Sequence, residues 1–212
     1  MLRGSVGLVY TSILPESYSA KTTTTRQAAT LRAVSTLRNA TTADIASLNE
    51  LIARSARALS TGEYRPEQIE GALRGAFGVD SQLLLDGTYF VIEERGRIVG
   101  CGGWSFRATL FGGDARAGRD ASVLDPKTQA AKIRAFFVDP GHARRGIGSL
   151  LLDHCEQQAC AHGYTRVELM ATLPGVKFYA ARGYVGGAMV RFDVGSGEEI
   201  EFIPMQKPLL GP

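Results

Sequence analysis

The chain has 212 residues, 44% of them apolar and 21% charged, with a formal net charge of +3 at pH 7. Such values describe one ordinary globular domain, long enough to bury a core without disulfide or metal staples. Nothing in them calls for a nucleic-acid partner, and no apolar run reaches the roughly 18 residues of a membrane span.

Taken in chain order, residues 1–34 are rich in Ser and Thr, with Thr22 to Thr25 in a run. They carry Arg3, Lys21, Arg26 and Arg32 against a single acid, Glu16. This composition suits either an N-terminal extension or a mitochondrial transit peptide. The folded domain is expected over residues 35–212. Ser35 to Ala40 reads as a first strand. Thr41-Thr42-Ala43-Asp44 matches a capping box, and behind it Ile45, Leu48, Ile52 and Leu59 fall at helical spacing, with Leu51 widening the stripe. Pro66-Glu67 opens a second helix carrying Ile69 and Leu73, with Gly78 near its end. Thr88 to Ile92 and Arg97 to Phe106 are strands of a hairpin turning at Arg95-Gly96. Ala108 to Ala130 has no regular pattern. At about twenty residues it is long for a loop in a compact domain, so it is expected either to be solvated or to form a charged lid that selects substrate.

Ala131 to Val138 reads as a strand. It runs into Asp139-Pro140-Gly141-His142-Ala143-Arg144-Arg145-Gly146-Ile147-Gly148-Ser149. A Pro-Gly turn, a basic glycine-rich bend and then a helix are the physical ingredients of a pyrophosphate site. Glycine admits close approach of a ligand to the backbone, and the first amides of a helix have no intrahelical partner. The following helix should bury Ile147, Leu150, Leu151, Cys155 and Ala159, with Gly163 as C-cap. A P-loop is excluded because Ile147 stands where its lysine belongs, and a dinucleotide fingerprint because Leu151 occupies the third glycine. Arg166 to Met170 and Glu201 to Leu209 read as further strands. The three cysteines, Cys101, Cys155 and Cys160, lack metal-ligand spacing and are expected as buried thiols in a reducing compartment.

Val138-x-Pro140 followed by Arg144-Arg145-Gly146-Ile147-Gly148 resembles the acetyl-CoA signature of the GCN5-related N-acetyltransferases (GNAT), with Ala143 at the position of the family's Gln/Arg. Pro174-Gly175-Val176-Lys177-Phe178-Tyr179 through Gly183-Tyr184 resembles the second signature, with Pro-Gly in place of Asn-Ala. Gly100 to Trp104 is similar to a substrate-side strand. The resemblance covers about residues 36–209. It implies an α/β GNAT fold: a central mixed, mostly antiparallel sheet flanked by helices, with strands splayed at the acetyl-CoA site. It implies acetyl-CoA as co-substrate, held by Phe136, Phe137, Val138, Arg144, Arg145, Gly146, Ile147, Gly148 and Ser149, and no metal. A backbone amide around Val138 would face the oxyanion, and Tyr179 would protonate the leaving thiolate.

Acetyl transfer to an amine also requires that the amine be neutral, although a lysine-like amine has a pKa of about 10.4. The strand before the bend offers Lys132 and Arg134 where many members carry a Glu. Asp114, Asp120, Glu67, Glu70 and Glu168 are weak candidates for the base, and a water chain is preferred. His142 is expected as a solvated loop residue. Trp104, Phe106 and Arg107 either frame an acceptor pocket or belong to the core, and Arg107, Arg134 or Lys132 in the pocket would favour an acidic acceptor. The expected activity is N-acetyl transfer to a small-molecule primary amine by direct attack in a ternary complex. The expected protein is cytoplasmic, or mitochondrial if residues 1–34 are a transit peptide, with no nucleic-acid or membrane partner and compatible with a homodimer. The alternatives are an acetyl-CoA-binding sensor or interaction module without turnover, and a protein N-acetyltransferase.

Overall fold

Helix and strand periodicities meet in a computed structural model that describes residues 35–116 and 118–209. The expected extension over residues 1–34 lies outside the described residues. Strand β1 (Ser35–Asn39) pairs antiparallel with β2 (Tyr89–Glu94), which pairs with β3 (Arg97–Ser105). Arg95 (φ 51°) and Gly96 (φ 74°) turn that hairpin, both in the left-handed region that a two-residue loop demands. The sheet continues through β4 (Ala131–Val138), β5 (Arg166–Thr172), β8 (Glu198–Pro208) and β6 (Val185–Gly186), with β7 (Val190–Gly195) also on β8. All pairings are antiparallel except β4 with β5.

Both faces of the sheet are covered, so alternate strand residues feed two separate cores. Helix α4 (Ile147–Ala161) and the short α5 (Val176–Ala181) cover one face, over Phe90, Ile92, Val99, Val167 and Leu169. Helices α1 (Ile45–Leu59), α2 (Pro66–Ala72) and α3 (Ser81–Leu85) cover the other, over Tyr89, Val91, Cys101, Ile200 and Phe202. Helix α1 starts as expected: the Thr41 N–H donates to the Asp44 carboxylate at 2.8 Å, and Arg38 of β1 grips the same carboxylate at 2.8 Å. Its buried face is Leu48, Leu51, Ile52, Ser55 and Ala56, while Leu59 is 39% exposed.

Three sequence expectations are corrected, and the two readings of Trp104 are decided for the core. The second helix ends at Ala72 rather than near Gly78, and a further helical turn, α3, follows, capped by the Asp80 carboxylate on the Gln82 N–H at 3.0 Å. Trp104 is core, 1% exposed, packed on Phe106, His162 and Tyr164. Leu152 is buried on α4 and Leu150 only partly. Finally, the segment after β3 is neither a solvated loop nor a free lid. Arg107 donates to Asp86 at 2.7 and 2.8 Å and bridges Val123, and the Thr109 hydroxyl donates to Asp120 C=O at 2.6 Å. The Ser81 amide donates to Asp114 at 3.0 Å, and Arg119 contacts both Asp80 and Asp114. Its charges are spent on holding it in place.

Candidate active site

The site forms where the parallel pair comes apart. Strands β4 and β5 pair only at Ala131↔Val167 and Lys132↔Glu168, and the Lys132–Glu168 ion pair sits at that closed end. Beyond it a bulge bends β4. The register passes from Gly103↔Arg134 to Cys101↔Phe137, so Ala135 and Phe136 face the single residue Gly102. Ala135 takes φ 55°, and its C=O accepts the Tyr89 hydroxyl at 3.2 Å. A bulge of this kind ends regular pairing and re-aims side chains. Between the parted strands lies a cavity of about 680 Å³.

The glycines of β3 serve this geometry. A Cβ at Gly100 would lie 2.4 Å from the Ile147 side chain, and one at Gly102 would lie 2.7 Å from the Phe136 ring. They let the start of α4 and the bulged Phe136 settle onto the strand. The run that resembles a substrate-side strand is thus a packing surface for the elements that build the site.

The bend from β4 to α4 is rigidly built. The Asp139 carboxylate accepts from the Gly141 N–H at 3.0 Å, contacts the His142 Nδ1 at 3.0 Å and takes the Arg54 guanidinium at 3.3 Å. Burial alone would raise the Asp139 carboxyl, but these donors outweigh it and hold it below the usual range. Arg144 (φ 62°) and Gly146 (φ 85°) both take the left-handed conformation. For a non-glycine residue that conformation is strained, and such strain concentrates at ligand clamps. The first α4 amide with a backbone acceptor in the helix is Leu150, bonded to the Gly146 C=O at 3.0 Å. The amides of Ile147, Gly148 and Ser149 precede it at the positive end of a fifteen-residue helix. A Cβ at Gly148 would come no closer than 3.4 Å to the Phe178 ring, so the protein itself leaves room there.

All but one of the residues expected to hold acetyl-CoA line the cavity: Phe136, Phe137, Val138, Arg144, Gly146, Ile147, Gly148 and Ser149. Arg145 instead reaches Glu94 at 3.5 Å. Tyr179 lines the cavity from α5, 9% exposed, edge-on to Phe178 at 5.0 Å and Tyr184 at 5.6 Å. Burial, with Cys155 beside it, pushes its phenol well above the ordinary value and keeps it protonated. His142 is not a solvated loop residue. It lines the cavity and sits between Asp139 and Glu94, its Nε2 3.5 Å from the Glu94 carboxylate.

Sequence reasoning missed Ser55, whose hydroxyl accepts the Val138 N–H at 3.2 Å and which also lines the cavity. The signal was a polar residue inside the apolar stripe of α1. It also missed Phe77, Phe111, Met170 and Phe202, which line the α1 side of the cavity. Among the described lining residues none is Asp or Glu. The acids considered as bases are engaged elsewhere: Glu70 with Arg57, Glu168 with Lys132, Asp114 with Ser81 and Asp120 with the Ser122 amide. Glu67 is exposed on α2. The cations expected to greet an acidic acceptor are also paired: Arg107 with Asp86, Lys132 with Glu168, and Arg134 with Asp80 at 2.5 Å.

Residues 50–184 match the family model described as the acetyltransferase (GNAT) family. Among solved structures, a GCN5-related N-acetyltransferase from Rhodopseudomonas palustris superposes with a TM-score of 0.63 at 21% identity, over 83% of this chain and 96% of that one. The PaiA N-acetyltransferase from Thermoplasma acidophilum, in complex with coenzyme A, gives 0.57 at 16% identity, over 82% and 98%. A phosphinothricin acetyltransferase from Sinorhizobium meliloti, in complex with AcCoA, gives 0.55 at 22% identity, over 83% and 89%. At these identities the likeness is one of fold. No curated protein matches the chain at a significant level.

Proposed function

The chain belongs to the GNAT acetyltransferase family, and from that premise we propose that it transfers acetyl from acetyl-CoA to a small primary amine by direct attack in a ternary complex. The observation that carries this reading is the cavity lined from both faces of the sheet. The bend Arg144 to Ser149 and Tyr179 lie on its α4 side, and Phe77, Phe111 and Phe202 on its α1 side. One substrate can approach from each side and meet its partner at the parted strands.

In this mechanism the Ile147, Gly148 and Ser149 amides hold the pyrophosphate, and Arg144 adds charge beside it. The pantetheine arm runs along β4 past Phe136 to Val138. The neutral amine attacks the thioester carbon, the C–N bond forms and the C–S bond breaks. The nitrogen loses one proton and the departing sulfur gains one. The Val138 N–H is spent on the Ser55 hydroxyl oxygen, and that bond orients Ser55 so that its own O–H is the donor left for the developing oxyanion. Because burial raises the Tyr179 phenol, full ionisation is uphill. Its contribution is a hydrogen bond to the developing thiolate, with the proton passing as the charge grows. The amine's proton leaves through water, since no carboxylate lines the cavity among the described residues.

The testing experiment combines two readouts. Acetyl-CoA should raise the melting temperature, and an amine acceptor should then release free CoA thiol. A thermal shift without release by any amine would favour the sensor reading. Release only with peptide amines would favour the protein N-acetyltransferase.

A further inference from the structure

The α1 side of the cavity has a definite chemistry. Phe77, Phe111, Phe137, Met170 and Phe202 form its wall. The rings are in edge or tilted contact: Phe77 with Phe137 at 5.8 Å, Phe77 with Phe202 at 6.3 Å, and Phe111 with Phe202 at 5.3 Å. Phe111 comes from the segment after β3 and is held hard. Arg116 stacks 3.7 Å over its ring and donates to its C=O at 2.9 Å, while Phe192 packs against it at 4.4 Å. Neither Arg116 nor Phe192 lines the cavity, so they support Phe111 from behind.

Charge is missing from this wall. The lining residues described include no Asp or Glu. Arg134 does line it, but its side chain is 3% exposed and its two Nη atoms are committed to Asp80 at 2.5 Å and to the Gly112 C=O at 2.8 Å, with only the buried Nε left without a partner. A polyamine would bring a second ammonium here with no counter-charge, and burying an unpaired charge is costly. A free amino acid would bring a carboxylate against aromatic rings and an already neutralised arginine. A peptide would bring several backbone amides, and those lying on the aromatic wall rather than at the parted strands would lose water without gaining partners. An aromatic body loses nothing polar and gains edge-to-face ring contacts.

We propose that the acceptor is a monoamine carried on an uncharged aromatic body, its nitrogen directed to the parted strands and its ring held among Phe77, Phe111, Phe137 and Phe202. This rests on the acetyl-transfer reading above. The nitrogen lone pair bonds the thioester carbon, and the sulfur leaves with the C–S electron pair and takes up the proton that the nitrogen gives up.

The test measures thiol release at saturating acetyl-CoA with phenethylamine, spermidine, phenylalanine and an alanine-initiated tetrapeptide. The wild type, Phe111→Leu and Phe111→Asp are compared, each checked for an acetyl-CoA thermal shift. Phenethylamine should exceed each other acceptor by at least about 10-fold in kcat/KM, since one desolvated polar group missing its partner is worth that much discrimination. Phe111→Leu should keep the order. Phe111→Asp should move the phenethylamine-to-spermidine ratio at least about 10-fold towards spermidine, because it supplies the missing counter-charge. If Phe111→Asp fails to fold, the wild-type and Phe111→Leu orders decide. A thermal shift accompanied by equal or better turnover of spermidine, phenylalanine or peptide overturns this inference and leaves the acetyl-transfer reading standing. So does a shift with turnover of none of the four. No shift and no release with any amine sinks both.

Discussion

At the scale of single residues the site separates holding from chemistry. Gly148 leaves open space at the start of α4, where a Cβ would only graze Phe178 at 3.4 Å. Gly148→Asp therefore should fold, yet it sets a like charge beside the proposed pyrophosphate site. We expect its melting temperature without ligand to stay near wild type and the acetyl-CoA shift to vanish; an undiminished shift would displace the phosphate site from this bend. Tyr179→Phe removes a hydroxyl and nothing else. Coenzyme A affinity should hold within a few-fold, and kcat should fall by about 10² if that hydroxyl stabilises the leaving thiolate. An unchanged kcat leaves water as the proton source. That Gly148 and Tyr179 line the cavity was legible because each sits in a local motif. Ser55 was half legible, as one polar residue in an apolar stripe. Its partner, the Val138 amide, lies on another element far along the chain, and no local pattern announces that contact.

At the scale of elements, several joints between segments are ionic. Asp80 caps α3, pairs with Arg134 of β4 at 2.5 Å and takes Arg119 of the post-β3 segment at 2.7 Å. Asp80→Ala strands a guanidinium that is 3% exposed, and losing one partner of a buried pair costs about 3–5 kcal/mol. Denaturant unfolding should show that loss, with Asp80→Asn smaller because it keeps the cap. A second joint ties β1 to the start of α1. Arg38 and the Thr41 donors hold the Asp44 carboxyl at about 2, from 3.8. The folded value lies below the unfolded one, so this stabilisation is complete above about pH 4 and is lost as pH falls towards 2. Asp44→Asn should flatten that acid limb in a plot of melting temperature against pH, and a limb as steep as wild type would show that the joint contributes nothing. Elements with both a start signal and a stripe, such as α1 and α4, could be placed from sequence. Helix α3 could not, because one helical turn has no periodicity to read and depends on Asp80 and its tertiary partners. The segment after β3 was legible as charged, but not as pinned, since its partners are distant in the chain.

At the scale of the whole molecule, the parted strands connect two cores that the sheet otherwise separates. The fold was legible because two ordered signatures with correct spacing imply one topology. The aromatic wall was not, because Phe77, Phe111, Phe137 and Phe202 converge only through the sheet order and carry no common motif. On the proposed reading, the connection carries a prediction about kinetic order. Both substrates can occupy one cavity together, and no cysteine lines it among the described residues. Cys101 and Cys155 are buried in the two cores, and burial pushes the Cys101 thiol up to about 12 and the Cys155 thiol up as well. A nucleophilic thiol needs the opposite environment, a lowered pKa with access to substrate. Acetyl should therefore pass directly to the amine and never rest on the enzyme. Initial rates at several fixed amine concentrations should give intersecting double-reciprocal lines, and intact mass after incubation with acetyl-CoA alone should show no added acetyl group at a cysteine. Parallel lines together with a stoichiometric acetyl adduct would replace the ternary complex by a two-step transfer, and would require either a hydroxyl or imidazole nucleophile from the lining, such as Ser55 or His142, or a group outside it.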